Sequence, residues 1–366
     1  MDRKIVTLLK MIILSLGLIA VFSFIGKEEG KKVDDAGNTN YSFAMGTSVS
    51  VSIYDNEIDS GKVTCDINQE IKNLDEKYIS WRNAGSELNQ FNENYIPNQG
   101  YEISPELYVV LKQSLALCID SQGALDITIR PLATLWNIEG HSDGEFIPPN
   151  DDSVAEALQR VDYNKLNILS ETYSDANNDL INEKYYVELS EADMIIDLGA
   201  TGKGYALDRA KEILDDNQVK GALVTVGGSI LVYGDKQSKE DWHIGVRNPL
   251  KAEDTNAMIG YLNFPAGTIT CVSSSGGYEK YKTYQGVDYH HILDSKTGYP
   301  SDSGLLSVTV VCENGLVSDG LSTACFVLGY EKSKSLLDKY NAEAVFMDIE
   351  GNIIVTDGLK NNWVEK

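Results

Sequence analysis

Apolar and polar residues alternate with period two through YSFAMGTSVSVSIYD (41–55), which predicts a strand. The period changes in GKVTCDINQEIKNLDEKYI (61–79), where apolar residues recur at helical spacing and predict a helix. A second helix opens at Ser104-Pro105-Glu106, read as N-cap, first helical position and acidic first turn, and closes at Gly123. Residues 139–183 are polar, with two prolines and many Asp and Asn, and predict a surface excursion around one short helix. Further along, strands are predicted at 194–198, 222–226, 230–234, 242–247, 258–264, 268–274, 305–312, 343–348 and 352–356. Helices are predicted at 204–215, 319–328 and 331–340. Strands and helices mix without strict alternation, so the expected class is α+β, mixed sheets with packed helices, rather than a doubly wound sheet. No repeat at solenoid periods is present.

The N-terminus has a different pattern. Arg3, Lys4 and Lys10 precede an apolar run from Met11 to Ile25, the layout of a signal peptide or an uncleaved anchor over residues 1–26. Fifteen residues fall short of the roughly 20 that span a bilayer, but Ile5 to Leu9 extend the stretch if Lys10 snorkels. Residues 27–40 are charged and small and read as a flexible tether, leaving 41–366 as the folded domain. The expectation is an extracytoplasmic protein, secreted or membrane-anchored.

Charge narrows the partners. Over 366 residues, 31 Lys and Arg face 55 Asp and Glu, a net charge of −24 with no basic stripe, which argues against nucleic acid. An anionic ligand therefore needs a local cationic device: a metal, a lysine or a helix N-terminus. Five widely spaced cysteines without CxxC read as mostly buried apolar fillers, and the four histidines show no zinc-ligand spacing with them.

DLGATGKGYALD (197–208) runs from a strand through Gly199, Gly202 and Gly204 into a helix, so backbone amides and Lys203 can converge on an anion. The spacing matches neither a dinucleotide fingerprint nor a Walker loop, and a plain strand-to-helix turn is the competing reading. In SDGLSTACFVLGY (318–330), Ser318 or Asp319 caps a helix, and Asp319 and Thr323 share one face of its first turn. Their oxygens suit magnesium; a capping Asp and a back-bonding Thr is the alternative. SSSGGYEKY (273–281) and YHHILDSKTGYP (289–300) are loops in which only one of His290 and His291 can reach a given site. That histidine is a candidate base, or else a structural residue of a hairpin. In GALDITIRPLATLW (123–136), Asp126 is a ligand contact or an Asx-turn residue.

Taken in order, these segments, with MGT (45–47), SWRNAGSELNQFN (80–92) and VTVGGS (224–229), resemble the FAD:protein FMN transferases, the ApbE flavin transferases. The resemblance covers about residues 41–358. It implies a two-lobed, magnesium-dependent enzyme that splits FAD, attaches FMN by a phosphoester to a Thr or Ser hydroxyl of an extracytoplasmic acceptor protein, and releases AMP. It places Met45, Trp81, Ala124, Leu125, Asp126, Asp197, Lys203 and Ile292 around FAD. The metal falls to the Ala200 carbonyl, Asp319 and Thr323, and His291 becomes the candidate for assisting deprotonation of the acceptor. The acceptor would carry a Thr-containing flavinylation motif, as in redox-pump subunits or FMN-carrier domains.

This chain departs from the family pattern at Ser295, Ser229, Ser318 and Gly320, and Trp81 replaces a frequent Tyr while keeping a flat face. DGLSTAC (319–325) resembles an acceptor motif, but Cys325 stands at the modified position, so self-flavinylation is not expected. Two alternatives share the site: a magnesium-dependent FAD pyrophosphatase giving FMN and AMP, and a flavin-binding protein without turnover.

Overall fold

The structure, a computed structural model, describes residues 38–140, 146–174 and 181–366. The segment read as signal or anchor, and residues 27–37 of the tether, lie outside the described residues. In chain order the first strands are β1 (Asn38–Ala44), β2 (Thr47–Ile53), β3 (Tyr101–Ile103), β4 (Leu166–Ser174), β5 (Ile181–Leu189), β6 (Gly221–Val226), β7 (Ser229–Gly234) and β8 (Trp242–Arg247). They continue as β9 (Met258–Phe264), β10 (Ile269–Gly276), β11 (Tyr281–Tyr284), β12 (Val287–His290), β13 (Leu305–Cys312), β14 (Glu343–Asp348), β15 (Ile353–Val355) and β16 (Trp363–Glu365). The helices are α1 (Ser60–Asn73), α2 (Glu87–Asn94), α3 (Pro105–Asp120), α4 (Arg130–Trp136), α5 (Asp151–Leu158), α6 (Gly202–Asp216), α7 (Gly315–Leu328) and α8 (Tyr330–Lys339).

An antiparallel sheet ordered β1-β2-β6-β7-β10-β13-β14-β15 forms the centre. Period-two alternation sends its side chains to two cores. Val49, Val51, Val224, Leu231, Cys271, Val308 and Val310 join Ile67 of α1, Leu207 of α6 and Leu321 of α7. Ile230, Val232, Val272, Val311 and Val345 instead pack with Trp242, Ile244 and Leu262 of a second sheet, β16-β9-β8. Burial on both faces explains why β6, β7 and β13 read as nearly continuous apolar runs, while β2 keeps its alternation. A third sheet, β3-β5-β4, lies against α3, and Leu132, Trp136, Val154 and Leu293 form a small core around α4 and α5.

The α+β expectation holds, with local corrections. The predicted strand 41–55 is a hairpin: Met45 and Gly46 take φ of +53° and +72°, and the Met45 N–H donates to Asp75 at 2.7 Å. Asn38 to Asn40, read as tether, already belong to β1. Residues 139–183 hold more than a helix, since β4 and the start of β5 run through them. The apolar run 194–198 makes no strand beyond one bridge between Ile195 and Ile129. The Asn92 side chain takes the place of a neighbouring strand there, donating to the Ile196 carbonyl and accepting from its N–H, each at 2.9 Å. Helix α7 begins four residues before the predicted start, because Asn314 rather than Ser318 or Asp319 is its N-cap, accepting from Val317 N–H at 2.8 Å. Asp319 and Thr323 therefore lie beyond the first turn. All five cysteines are free and four are buried, as expected of mostly buried fillers, with Cys65 the exposed one.

Candidate active site

The loop that ends at Thr201 and the start of α6 meet α7 across the inner face of the sheet. The Asp319 side chain is only 3% exposed. Its Oδ2 accepts from the Gly204 N–H at 3.0 Å and from Lys203 Nζ at 3.2 Å, and its Oδ1 accepts from Ser229 Oγ at 3.2 Å. Lys203 Nζ also donates to the Gly199 carbonyl at 3.0 Å, so the ammonium lies between a carboxylate and a loop carbonyl. That is the environment a small hard cation needs. Next to it, Thr323 Oγ1 stands 3.2 Å from Ser275 Oγ, and Ser275 Oγ stands 2.7 Å from Ser322 Oγ. Among the described residues no cluster of three His, Cys, Asp or Glu side chains forms a metal cage. One carboxylate, hydroxyls and the carbonyls around Ala200 are instead a donor set for magnesium, which retains water and substrate phosphate as its other ligands. The residues present fit that ion.

A second group of contacts leads away from this point. Asp197 Oδ1 accepts from the Gly199 N–H at 2.8 Å and closes the loop, while its Oδ2 accepts from Arg130 Nη1 at 3.3 Å. Burial raises the pKa of the Asp197 carboxyl, with Arg130 acting against the shift. The Arg130 guanidinium lies 3.3 Å from the Trp81 ring centroid, and Arg82 approaches the same ring at 5.2 Å. Arg82 also reaches the β1–β2 turn, where a Cβ at Gly46 would stand 3.2 Å from Nη2. Trp81, Asp197, Lys203 and Asp319 are thus linked through Arg130 and Gly199, and Met45 precedes the glycine that Arg82 approaches.

Other expected contacts behave differently. Asp126 Oδ1 accepts from the Thr128 N–H at 2.8 Å and Thr128 Oγ1 at 2.7 Å, and its Oδ2 accepts from the Tyr163 N–H at 3.0 Å. This is the Asx-turn alternative, and burial raises the carboxyl's pKa. Ala124, Leu125 and Ile292 are buried, Leu125 and Ile292 within the main core. His291 is half-buried, with Nδ1 at 3.2 Å from the Lys280 carbonyl, and Lys280 pairs with Glu139 at 2.6 Å. Burial, reinforced by the Lys280 charge, pulls the His291 imidazole down to about 4. His290 turns elsewhere, to the Ser301 carbonyl at 3.0 Å and the edge of Phe326.

Sequence reasoning missed Arg82, Arg130, Glu139, Lys280 and Glu279. Glu279 feels the charges of Lys203, Arg247, Lys280 and Asp319, and desolvation in this recess raises its carboxyl. Arg82, Arg130, Lys280 and Glu279 lie inside quoted motifs and could have been found as unassigned charges there; Glu139 had no local signal.

A glycine-and-lysine helix start thus faces one buried carboxylate on a mixed antiparallel fold. A sequence profile of the ApbE family matches residues 45–346, and the chain belongs to that family; with it, the chain is an enzyme of the transferase class. The FAD:protein FMN transferase of Treponema pallidum (strain Nichols) is 31% identical over 266 residues, 70% of this chain and 69% of that protein. That of Haemophilus influenzae is 29% identical over 363 residues, 96% and 94% of the two chains. The crystal structure of the ApbE protein of Thermotoga maritima superposes with a TM-score of 0.74 at 31% identity, covering 89% of this chain and 99% of that one. Pseudomonas stutzeri flavinyl transferase ApbE shares the fold at 22% identity, with a TM-score of 0.72 over 91% and 98%.

Proposed function

We propose that this chain transfers FMN from FAD to a Thr or Ser hydroxyl of an acceptor protein, forming a phosphoester and releasing AMP. The reading includes magnesium dependence, an extracytoplasmic acceptor with a Thr-containing motif, and export through residues 1–26 as signal or anchor. The observation that carries it is the convergence of Lys203, the Gly204 N–H and Ser229 on the buried Asp319 carboxylate. An acidic protein that handles a pyrophosphate needs local positive charge, and Lys203 with the N–H groups that start α6 supports this reading once a bound cation balances Asp319.

Asp319, Thr323 and the Ala200 carbonyl would hold magnesium, which when bound supplies charge neutralisation for the pyrophosphate oxygens. Lys203 can exchange Asp319 for a phosphate oxygen, since its Nζ is only part-buried and already in line with the helix start. Trp81 with its stacked Arg130 offers a flat surface for a ring system, Asp197 holds Arg130 there, and Met45 would meet FAD from the β1–β2 turn. Ala124, Leu125, Asp126 and Ile292 complete the surroundings of FAD in this reading, Asp126 through the turn that its carboxylate closes. The acceptor oxygen attacks the FMN-side phosphorus, the bond to the AMP oxygen breaks, and His291, neutral at pH 7, is free to take the hydroxyl proton.

The test is intact-mass analysis of an acceptor fragment carrying the Thr motif, after incubation with the protein, FAD and magnesium, with an EDTA control. A metal-dependent gain of one FMN phosphoester with AMP release is the expected result. An unmodified acceptor with free FMN and AMP would replace the transferase by a pyrophosphatase. Intact bound FAD would leave only a binding protein.

A further inference from the structure

Helix α7 is capped twice, and the two caps come from different places. The N–H of Val317 donates to Asn314 Oδ1 at 2.8 Å and that of Ser318 to the Asn314 carbonyl at 3.0 Å, a local cap. The N–H groups of Gly315 and Leu316 instead donate to Asp208 of α6, to Oδ1 at 2.6 Å and Oδ2 at 2.8 Å. The reverse contact also exists. Asp319 of α7 accepts from the N–H of Gly204, in the first turn of α6. Each helix therefore places a carboxylate on the other's N-terminus.

Between these two contacts the backbones touch. A Cβ at Gly204 would stand 2.0 Å from the Gly315 carbonyl oxygen, and one at Gly315 would stand 2.3 Å from the Gly204 oxygen. Gly204 and Asp208 are four residues apart on α6, as Gly315 and Asp319 are on α7, so one helical turn separates touching point from clamp on both sides. A local cap stabilises a helix wherever it lies; a cap from a neighbouring helix also fixes its position. A metal at Asp319 would compete with the Gly204 N–H for the carboxylate, leaving Asp208 as a polar clamp between α6 and α7 that does not share its oxygens with the ligand; Ser318 and Ser322 tie α7 to β10 instead.

We propose that Asp208 is a positioning residue, which holds α7 in register against the start of α6 so that the Asp319 carboxylate is presented to magnesium. The inference rests on the functional reading above. Burial pushes the Asp208 carboxyl up to about 6 despite its two N–H partners, so retaining its charge here opposes stability rather than serving it.

The test compares Asp208→Asn with Asn314→Ala in the full chain. An asparagine accepts one of the two N–H groups and turns its own NH2 on the other; Asn314→Ala removes the local cap alone. Magnesium affinity is measured by calorimetry with magnesium alone, beside thermal unfolding and the KM for FAD. Asp208→Asn should weaken magnesium binding at least fivefold with FAD KM changed less than twofold, whereas Asn314→Ala should change magnesium binding less than twofold even where its melting temperature falls as far. Unchanged magnesium affinity in Asp208→Asn, or equal weakening by both variants, overturns the positioning role. If Asp208→Asn does not fold, Asp208→Ser, which keeps one acceptor oxygen, is judged by the same criteria. A wild-type protein that binds no magnesium either alone or with FAD present would fail the functional reading itself and this inference with it; a wild type that binds normally, beside an Asp208→Asn that binds equally well, fails the inference alone.

Discussion

Arg130 joins two parts of the site: its guanidinium lies 3.3 Å from the Trp81 ring centroid while Nη1 sits 3.3 Å from Asp197. Stacking needs the planar guanidinium, and the ion pair needs only charge. Arg130→Lys should therefore keep the Asp197 loop closed yet lose the stack. The expected outcome is a rise of about fivefold in FAD KM, corresponding to roughly 1 kcal/mol of cation–π contact, with kcat within twofold. Steady-state kinetics at saturating acceptor checks it. Equal KM values would show that Trp81 needs no partner to be positioned.

The glycine crossing makes a harsher prediction. The nearest atom facing each of Gly204 and Gly315 is the other's carbonyl oxygen, which cannot yield by a rotamer change. Gly204→Ala should destabilise by about 1–3 kcal/mol through overpacking and move the Gly204 N–H off Asp319. Denaturant unfolding gives the first quantity. Turnover should fall by a factor of about 100 or more, as a displacement near 1 Å suffices for such a loss. Near-wild-type turnover would mean that the helices can part without disturbing the site.

Asp319→Ala removes the proposed metal carboxylate and strands its donors. The Gly204 N–H and Ser229 hydroxyl lose an acceptor in a buried setting, which costs roughly 1–3 kcal/mol for an unsatisfied group. Magnesium-dependent turnover should drop by about 1000-fold or more, as expected where charge stabilisation dominates. Thr323→Val tests the second ligand with less structural damage, since Thr323 Oγ1 meets only Ser275 at 3.2 Å among the described contacts. It should raise the magnesium requirement several-fold and leave unfolding nearly unchanged. Full activity in Asp319→Ala would remove the metal assignment.

What the sequence revealed depended on how locally each feature is encoded. Helix α3 was legible because Ser104, Pro105 and Glu106 form a start signal and the Ser104 hydroxyl does accept from Leu107 at 3.2 Å. The loop before α6 was legible because its glycines and Lys203 are neighbours in the chain. The turn at Met45 was hidden, as a methionine at φ +53° carries none of the Asn-Gly signal that marks a hairpin and is fixed by Asp75, thirty residues away. Strands β4 and β5 were hidden for another reason: Leu166, Val187 and Leu189 are buried, but the intervening residues face outward and give a polar average. The 194–198 segment misled because its apolar residues are buried by packing while Asn92, remote in sequence, supplies its hydrogen bonds. Of the site, Lys203 and Asp319 could be named from motifs, but their pairing across 116 residues could not. Nor could the coupling of Arg130 to Trp81, which no spacing rule links.

His291 gives the pH dependence its sign. Its imidazole is pulled down to about 4 in the folded protein, first by burial and then by the Lys280 charge, with Glu139 opposing; in the unfolded chain it lies near the ordinary value of about 6.5. Between those values the unfolded chain binds the extra proton, so this group's contribution to stability is intact above pH 6.5 and is lost as pH falls toward 4. The imidazole also stays neutral, and able to accept a proton, well below pH 6. If it assists deprotonation of the acceptor, the acid limb of the kcat/KM profile should fall nearer pH 4 than 6.5. Lys280→Gln removes the second cause and leaves the first, so the limb should move toward higher pH by a fraction of a unit to one unit; pH profiles of the two proteins decide this. A limb that stays in place would assign the proton transfer to another group, and Glu279, whose raised carboxyl shares the recess with Lys203 and Asp319, would be the next residue to substitute.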